Sequence, residues 1–185
     1  MKTLIPTTIV QDLGSLDATN DLHLTAIHEA GHTVAYYKLG REVISVSIQS
    51  AEEHRGLTLP VPAMIDDIDR AQVLVAGPVA QAMATLAAAE PDEWGTDEQE
   101  IWADHAAGAL MSGGQGDIED FPVSFTDRGA AFDMWADVVR LQLTALWTPL
   151  IALAEALVAR ETLTGAEAFA VLDGALPADH DLLRR

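Results

Sequence analysis

The stretch Asn20-Asp21-Leu22-His23-Leu24-Thr25-Ala26-Ile27-His28-Glu29-Ala30-Gly31-His32 decides how this chain is read. Asn20 and Asp21 form an N-cap signal, and Asp21 suits the positive end of a helix dipole. Leu24, Ile27, Gly31, Val34, Ala35 and Leu39 then recur at helical spacing, and Gly40 is a natural stop. The spacing therefore predicts a helix over about 21–39. On it His28 and His32 are four residues apart, one above the other on the same face, and can close on a single Zn²⁺. Glu29 is rotated about 100° from His28, so its carboxylate reaches a water at the metal without ligating the ion. Gly31 inside a helix costs about 1 kcal/mol against alanine, which implies a close neighbour there, either a second helix or a substrate. The competing reading is an amphipathic helix with two surface histidines.

Working outward, Val43, Ser45, Val46, Ser47 and Ile48 alternate, and Gly56-Leu57-Thr58-Leu59-Pro60-Val61 is a second extended run. With the polar segment 50–55 as the turn, the pair reads as a two-stranded β-ribbon. A long helical stretch over about 66–89 contains Gly77-Pro78, where a break or kink is expected. Another helix is expected from Thr96 to Met111. Ser112-Gly113-Gly114-Gln115-Gly116 reads as a flexible turn leading into Asp117. Helix resumes over about 126–160 with a kink at Pro149, and Thr164-x-x-Glu167 starts a last helix to about Leu172. The expected fold is mainly α with a small β-ribbon. Residues 1–18 read as an irregular lead-in, with one domain over 19–185.

Composition bounds the function. The 185 residues include 49% hydrophobic ones, enough for a core, and the chain has no cysteine, so thiolate metal sites and disulfides are excluded. A net charge of −19 argues against nucleic acid and anionic membrane surfaces as partners. The uncharged run 71–89 is long enough to cross a bilayer, but Gln72, Gln81, Thr85 and Pro78 make it read as a buried helix. No signal peptide is evident at the N-terminus. The chain is expected to be cytoplasmic, without membrane insertion.

A catalytic zinc takes three protein ligands and keeps one open position. The metzincin pattern would need a glycine at Ala35 and a histidine at Lys38, so it fails. Asp117 is the most suggestive third ligand, with Glu119 and Asp120 as close competitors and His105 and Asp104 further off. Four stretches then point to one family. Thr25 to His32, Val43 to Ile48 with Gly56 to Pro60, Val73 to Ala80, and Ser112 to Glu119 resemble, in order, segments of the peptidase domain of FtsH-type proteases, family M41. Residues 153–165 are similar to its closing helices, so the resemblance spans about 22–173.

This resemblance implies a helical, zincin-like peptidase fold. It also implies zinc held by His28, His32 and Asp117, with Glu29 as general base. The ATPase module and membrane anchor of that family are not found in this chain, and Thr85 to Met111 looks like an insertion. The expected substrates are accordingly peptides or unfolded chains, with any motor supplied by a partner ATPase in trans, and the expected assembly is a monomer or dimer rather than a hexamer. Gly56, Leu57, Thr58 and Leu59 would be an edge strand on which an extended peptide adds. Two other functions remain open. One is zinc-dependent hydrolysis or modification of a non-protein or biosynthetic substrate. The other is a peptidase-like binding or regulatory protein, against which an intact Glu29 argues. For polarising a substrate carbonyl, His54, Arg55, His105, Tyr36 and Tyr37 are candidates, and His23 is a candidate support for the metal ligands.

Overall fold

A computed structural model describes residues 12–49, 56–62, 65–88, 115–122, 124 and 127–176. Helix α1 spans Asp21–Lys38, and the Asn20 side chain caps it by accepting from the Leu22 and His23 amides. Gly40, with φ of +64°, turns the chain out of the helix, a conformation glycine adopts without a Cβ penalty. Strand β1 (Val43–Ser47) follows and pairs antiparallel with β2 (Leu57–Pro60). The register places Val46 opposite Thr58 and Ser47 opposite Leu57, with a bulge between Val43 and Ser45.

The sheet has three strands, not the expected two. β3 (Thr162–Thr164) pairs with the other side of β1, giving the order β2-β1-β3. A three-residue strand is too short to show an alternation in sequence. Only its central residue, Leu163, is buried.

Helix α2 (Asp67–Ala88) packs along α1, and it runs without a break through Pro78. Burial of most of its residues between Ala71 and Ala84 overrides the local cost of the proline. At the crossing, a Cβ on Gly31 would lie 2.5 Å from the Ala76 carbonyl oxygen and 2.8 Å from the Ala80 Cβ. The close neighbour implied by Gly31 is therefore a second helix. α2 is long and apolar enough to cross a membrane, but 67% of its apolar window is buried within the protein.

A short helix, α3 (Gln115–Glu119), stands beside α2. The single helix expected over 126–160 is two, α4 (Arg128–Ala145) and α5 (Trp147–Arg160), bent by 83° at Leu146. Pro149 does not cause the bend. It lies in the first turn of α5, where a missing N–H removes no helical hydrogen bond. Leu143, Leu146, Trp147 and Leu150 are all buried around the corner, so core packing holds the angle. Helix α6 (Gly165–Ala175) begins at the capping box: Thr164 Oγ1 accepts from the Glu167 amide and Glu167 Oε2 accepts from the Thr164 amide.

One core joins α1, α2, the sheet and α4 to α6, centred on Ile27, Val34, Val75, Leu153 and Leu163. The described end of the lead-in is packed onto it. Leu16 is buried, Ser15 donates to Glu155 on α5, and Trp147 Nε1 donates to the Asp12 carbonyl. The expected turn at 50–55 and helix at 96–111 lie outside the described residues, as do the tails 1–11 and 177–185.

Candidate metal centre

His28 and His32 project from the buried face of α1 with their Nε2 atoms 3.0 Å apart. Asp117, on α3, completes a triangle: Oδ2 is 3.2 Å from His28 Nε2, and Oδ1 is 3.4 Å from His32 Nε2. Among the described residues this is the one group of three whose donor atoms converge within 4.8 Å. α3 ends before Pro122, as the residue before a proline disfavours helix, and buried Phe121 anchors the exit. That anchor fixes the turn carrying Asp117 against α1. Glu119 and Asp120 are exposed and stand outside the cluster. His105 and Asp104 lie outside the described residues.

The far sides of both rings are tied. His32 Nδ1 lies 2.7 Å from the Val73 carbonyl oxygen, and His28 Nδ1 lies 3.3 Å from Gln81 Oε1. Both partners are oxygens that accept, so each Nδ1 carries a proton, and a ring that holds no second proton turns its Nε2 lone pair inward. Two lone pairs facing each other at 3.0 Å repel unless a cation or a proton lies between them. Ligand atoms of a tetrahedral zinc stand about 3.3–3.5 Å apart, close to the spacing found. Two neutral imidazoles and one carboxylate form a donor set suited to that ion, so the residues present fit zinc.

Charge follows the same logic. Burial works to lower the His32 pKa, but the Asp117 carboxylate, with a smaller contribution from Glu29, raises it to about 9. Burial works to raise the Asp117 pKa, yet the two imidazoles hold it well below the usual carboxylate range. The cluster thus attracts a positive charge, which in the absence of metal is a proton.

Glu29 is 6% exposed. Thr58, on β2, donates to its Oε2 at 2.8 Å. Gly56 passes close by: a Cβ there would lie 2.6 Å from Oε1. Thr58 therefore faces inward onto Glu29, while Leu57 and Leu59 are 49% and 41% exposed on the opposite side of the strand. β2 is an edge of the sheet with β1 on one side.

Several expected roles fall elsewhere. His23 Nδ1 accepts from the Asp17 amide at 2.9 Å, so it anchors the lead-in rather than the metal ligands. The Tyr37 hydroxyl donates to Asp173 on α6, and Tyr36 is packed against the core. His54 and Arg55 lie outside the described residues. Sequence reasoning passed over the Val73 carbonyl, Gly77 and Gln81 as parts of the site. A glutamine in an otherwise small and apolar helical run was the one available signal. No family model matches the chain, and no curated protein matches it.

Proposed function

We propose that this protein is a zinc-dependent metallopeptidase of zincin-like fold, related to the peptidase domain of FtsH-type proteases. The observation that carries the reading is the convergence of His28, His32 and Asp117 within 4.8 Å, with a buried glutamate one residue along the helix. His28, His32 and Asp117 would hold the ion. Zinc, when bound, would polarise a scissile carbonyl and acidify a water beside it.

Glu29 is the general base. Thr58 donates to Oε2 and holds the carboxylate that takes the proton of the attacking water. Glu29 then returns that proton to the departing amine, and no other group on α1 needs to move. The missing side chain at Gly56 leaves room for the Glu29 carboxylate, which a Cβ there would meet at 2.6 Å.

The substrate class follows from β2. An edge strand beside the base can take an extended peptide by main-chain hydrogen bonds along 56–59, while Leu57 and Leu59 point away from the site. A flexible chain meets that requirement, and a folded domain does not.

Incubation of zinc-loaded protein with a casein-like, unstructured substrate tests this. Cleavage should stop on chelation and return when zinc is restored. A zinc-replete protein that leaves flexible chains intact would overturn the peptidase assignment and move the centre to a non-protein substrate. Absence of zinc after dialysis against it would remove the centre altogether.

A further inference from the structure

Val73, Gly77 and Gln81 stand four residues apart on α2, and so share one face of that helix. Each meets an imidazole of the site. The Val73 carbonyl accepts a hydrogen bond from His32 Nδ1, and Gln81 Oε1 accepts one from His28 Nδ1. Gly77, between them, lies under both Nε2 atoms. A Cβ there would be 2.4 Å from His32 Nε2, 2.7 Å from its Cε1 and 2.7 Å from His28 Nε2.

We propose that this face of α2 is a template for the metal centre, in which Gly77 is a positioning residue whose missing side chain leaves the space where the two Nε2 atoms meet an ion. The proposal rests on His28, His32 and Asp117 being the ligands.

Other reasons for the glycine fail. Its φ is not positive, so the backbone there is open to any residue. Helix propensity favours alanine, and α2 is already burdened by Pro78 next in sequence. Helix packing is served elsewhere: the close approach to α1 falls at Gly31, against Ala76 and Ala80. At Gly77 the nearest atoms belong to the two ligand rings. Neither ring can turn aside freely. Swinging His32 away breaks its bond to Val73, and swinging His28 away breaks its bond to Gln81. The rings also brace each other edge to face, with centroids 4.7 Å apart. One added methyl group would therefore compete directly with the ion.

The test measures zinc affinity by competition with a chromophoric chelator, in wild type, Gly77→Ala and Gln81→Leu, together with thermal midpoints of the zinc-free proteins. Gly77→Ala should lower zinc affinity by roughly 100-fold or more, and Gln81→Leu by about 10–100-fold, as loss of an outer partner does. Gly77→Ala is also made in a His28→Ala/His32→Ala background. With the rings gone the methyl group has room, so there it should leave the midpoint unchanged or raise it. Gly77→Ala binding zinc within about threefold of wild type would overturn the proposal. So would an equal drop in midpoint with and without the histidines, which would make Gly77 a packing residue. Failure of wild type itself to bind zinc is a separate result, and it overturns the ligand assignment beneath.

Discussion

Helices α1 and α2 run antiparallel against each other, with His28 beside Gln81 and His32 beside Val73, and they serve the same site in opposite ways. On the proposed reading α1 supplies the functional side chains: two imidazoles and a carboxylate, all less than a tenth exposed. α2 supplies a main-chain carbonyl, an amide and a gap. Changing α1 removes chemistry outright. Changing α2 leaves every reactive group in place and alters where it points. The two helices should therefore fail differently, and each substitution below separates loss of a reacting group from loss of its support.

The sharpest break is Glu29→Gln, which removes the proposed base and leaves the three proposed ligands. Hydrolysis of a flexible peptide should fall by about 10²–10⁴-fold, the usual contribution of a positioned base. Zinc content, measured by metal analysis, should stay at the wild-type level. Parallel loss of metal and activity would make Glu29 part of the ligand set.

Asp117→Ala comes next. It should weaken zinc binding by about 10–100-fold or more, whereas Glu119→Ala and Asp120→Ala, exposed and outside the cluster, should not. The same pair sets a pH dependence in the zinc-free protein. His32 is raised from 6.5 to about 9, so its contribution to stability is complete below about pH 6.5 and is lost as pH rises towards 9. Asp117 is lowered, so its contribution holds above the ordinary carboxylate range and is lost on further acidification. On the proposed ligand assignment, zinc competes with the His32 proton. Thermal melts should show the gap between zinc-loaded and zinc-free protein widening from pH 6 to pH 9. A gap that narrows would place the proton elsewhere.

Local rules carried much of the fold. The Asn20 cap, the helical spacing to Lys38, the alternation after Val43 and the Thr164–Glu167 capping box all depend on residues within a few positions of one another. The features that escaped sequence reading depend on partners far along the chain. β3 exists because β1 has a second side to pair, and the 83° corner at Leu146 exists because buried side chains meet there. The site divides in the same way. His28, Glu29 and His32 form a recognisable spacing, and Asp117 is reachable through the glycine-rich run of sequence before it. A carbonyl carries no side-chain signature, and a glycine in a helix does not reveal which atom needs its space. The sequence places Thr58 on an edge strand that takes a peptide but does not link it to Glu29, because which face of β2 turns inward is set by its register with β1.

Gly31→Ala tests the contact between the two helices with no change in chemistry. The new Cβ would meet a main-chain oxygen at 2.5 Å, an obstacle that cannot rotate away as a side chain can. Overpacking of this kind costs about 1–3 kcal/mol, against about 1 kcal/mol gained in helix propensity. The balance is a loss of up to about 2 kcal/mol, so the midpoint of thermal unfolding should fall by up to about 8 °C. Residual activity should scale with the folded fraction. A large drop in kcat of the still-folded protein would mean that the helix spacing itself tunes the site.

The smallest effect should come from β2, which touches the base and none of the ligands. Thr58→Val preserves shape and removes the hydroxyl that donates to Glu29 Oε2 at 2.8 Å. Glu29 is nearly closed off from water, so no solvent molecule readily replaces the lost donor. The carboxylate can still accept a proton but gains freedom to rotate, which lowers the fraction correctly aimed. A hydrogen bond to a carboxylate is worth about 1.5–3 kcal/mol in all, and the share that orients the base should cost roughly tenfold or less in kcat. Zinc affinity should not change. Thr58→Ser, which keeps the hydroxyl and loses only a methyl group, should restore most of the rate. If serine fails where threonine succeeds, β2 acts by filling space beside Glu29 rather than by orienting it, and the strand belongs with α2 as a support that works through shape.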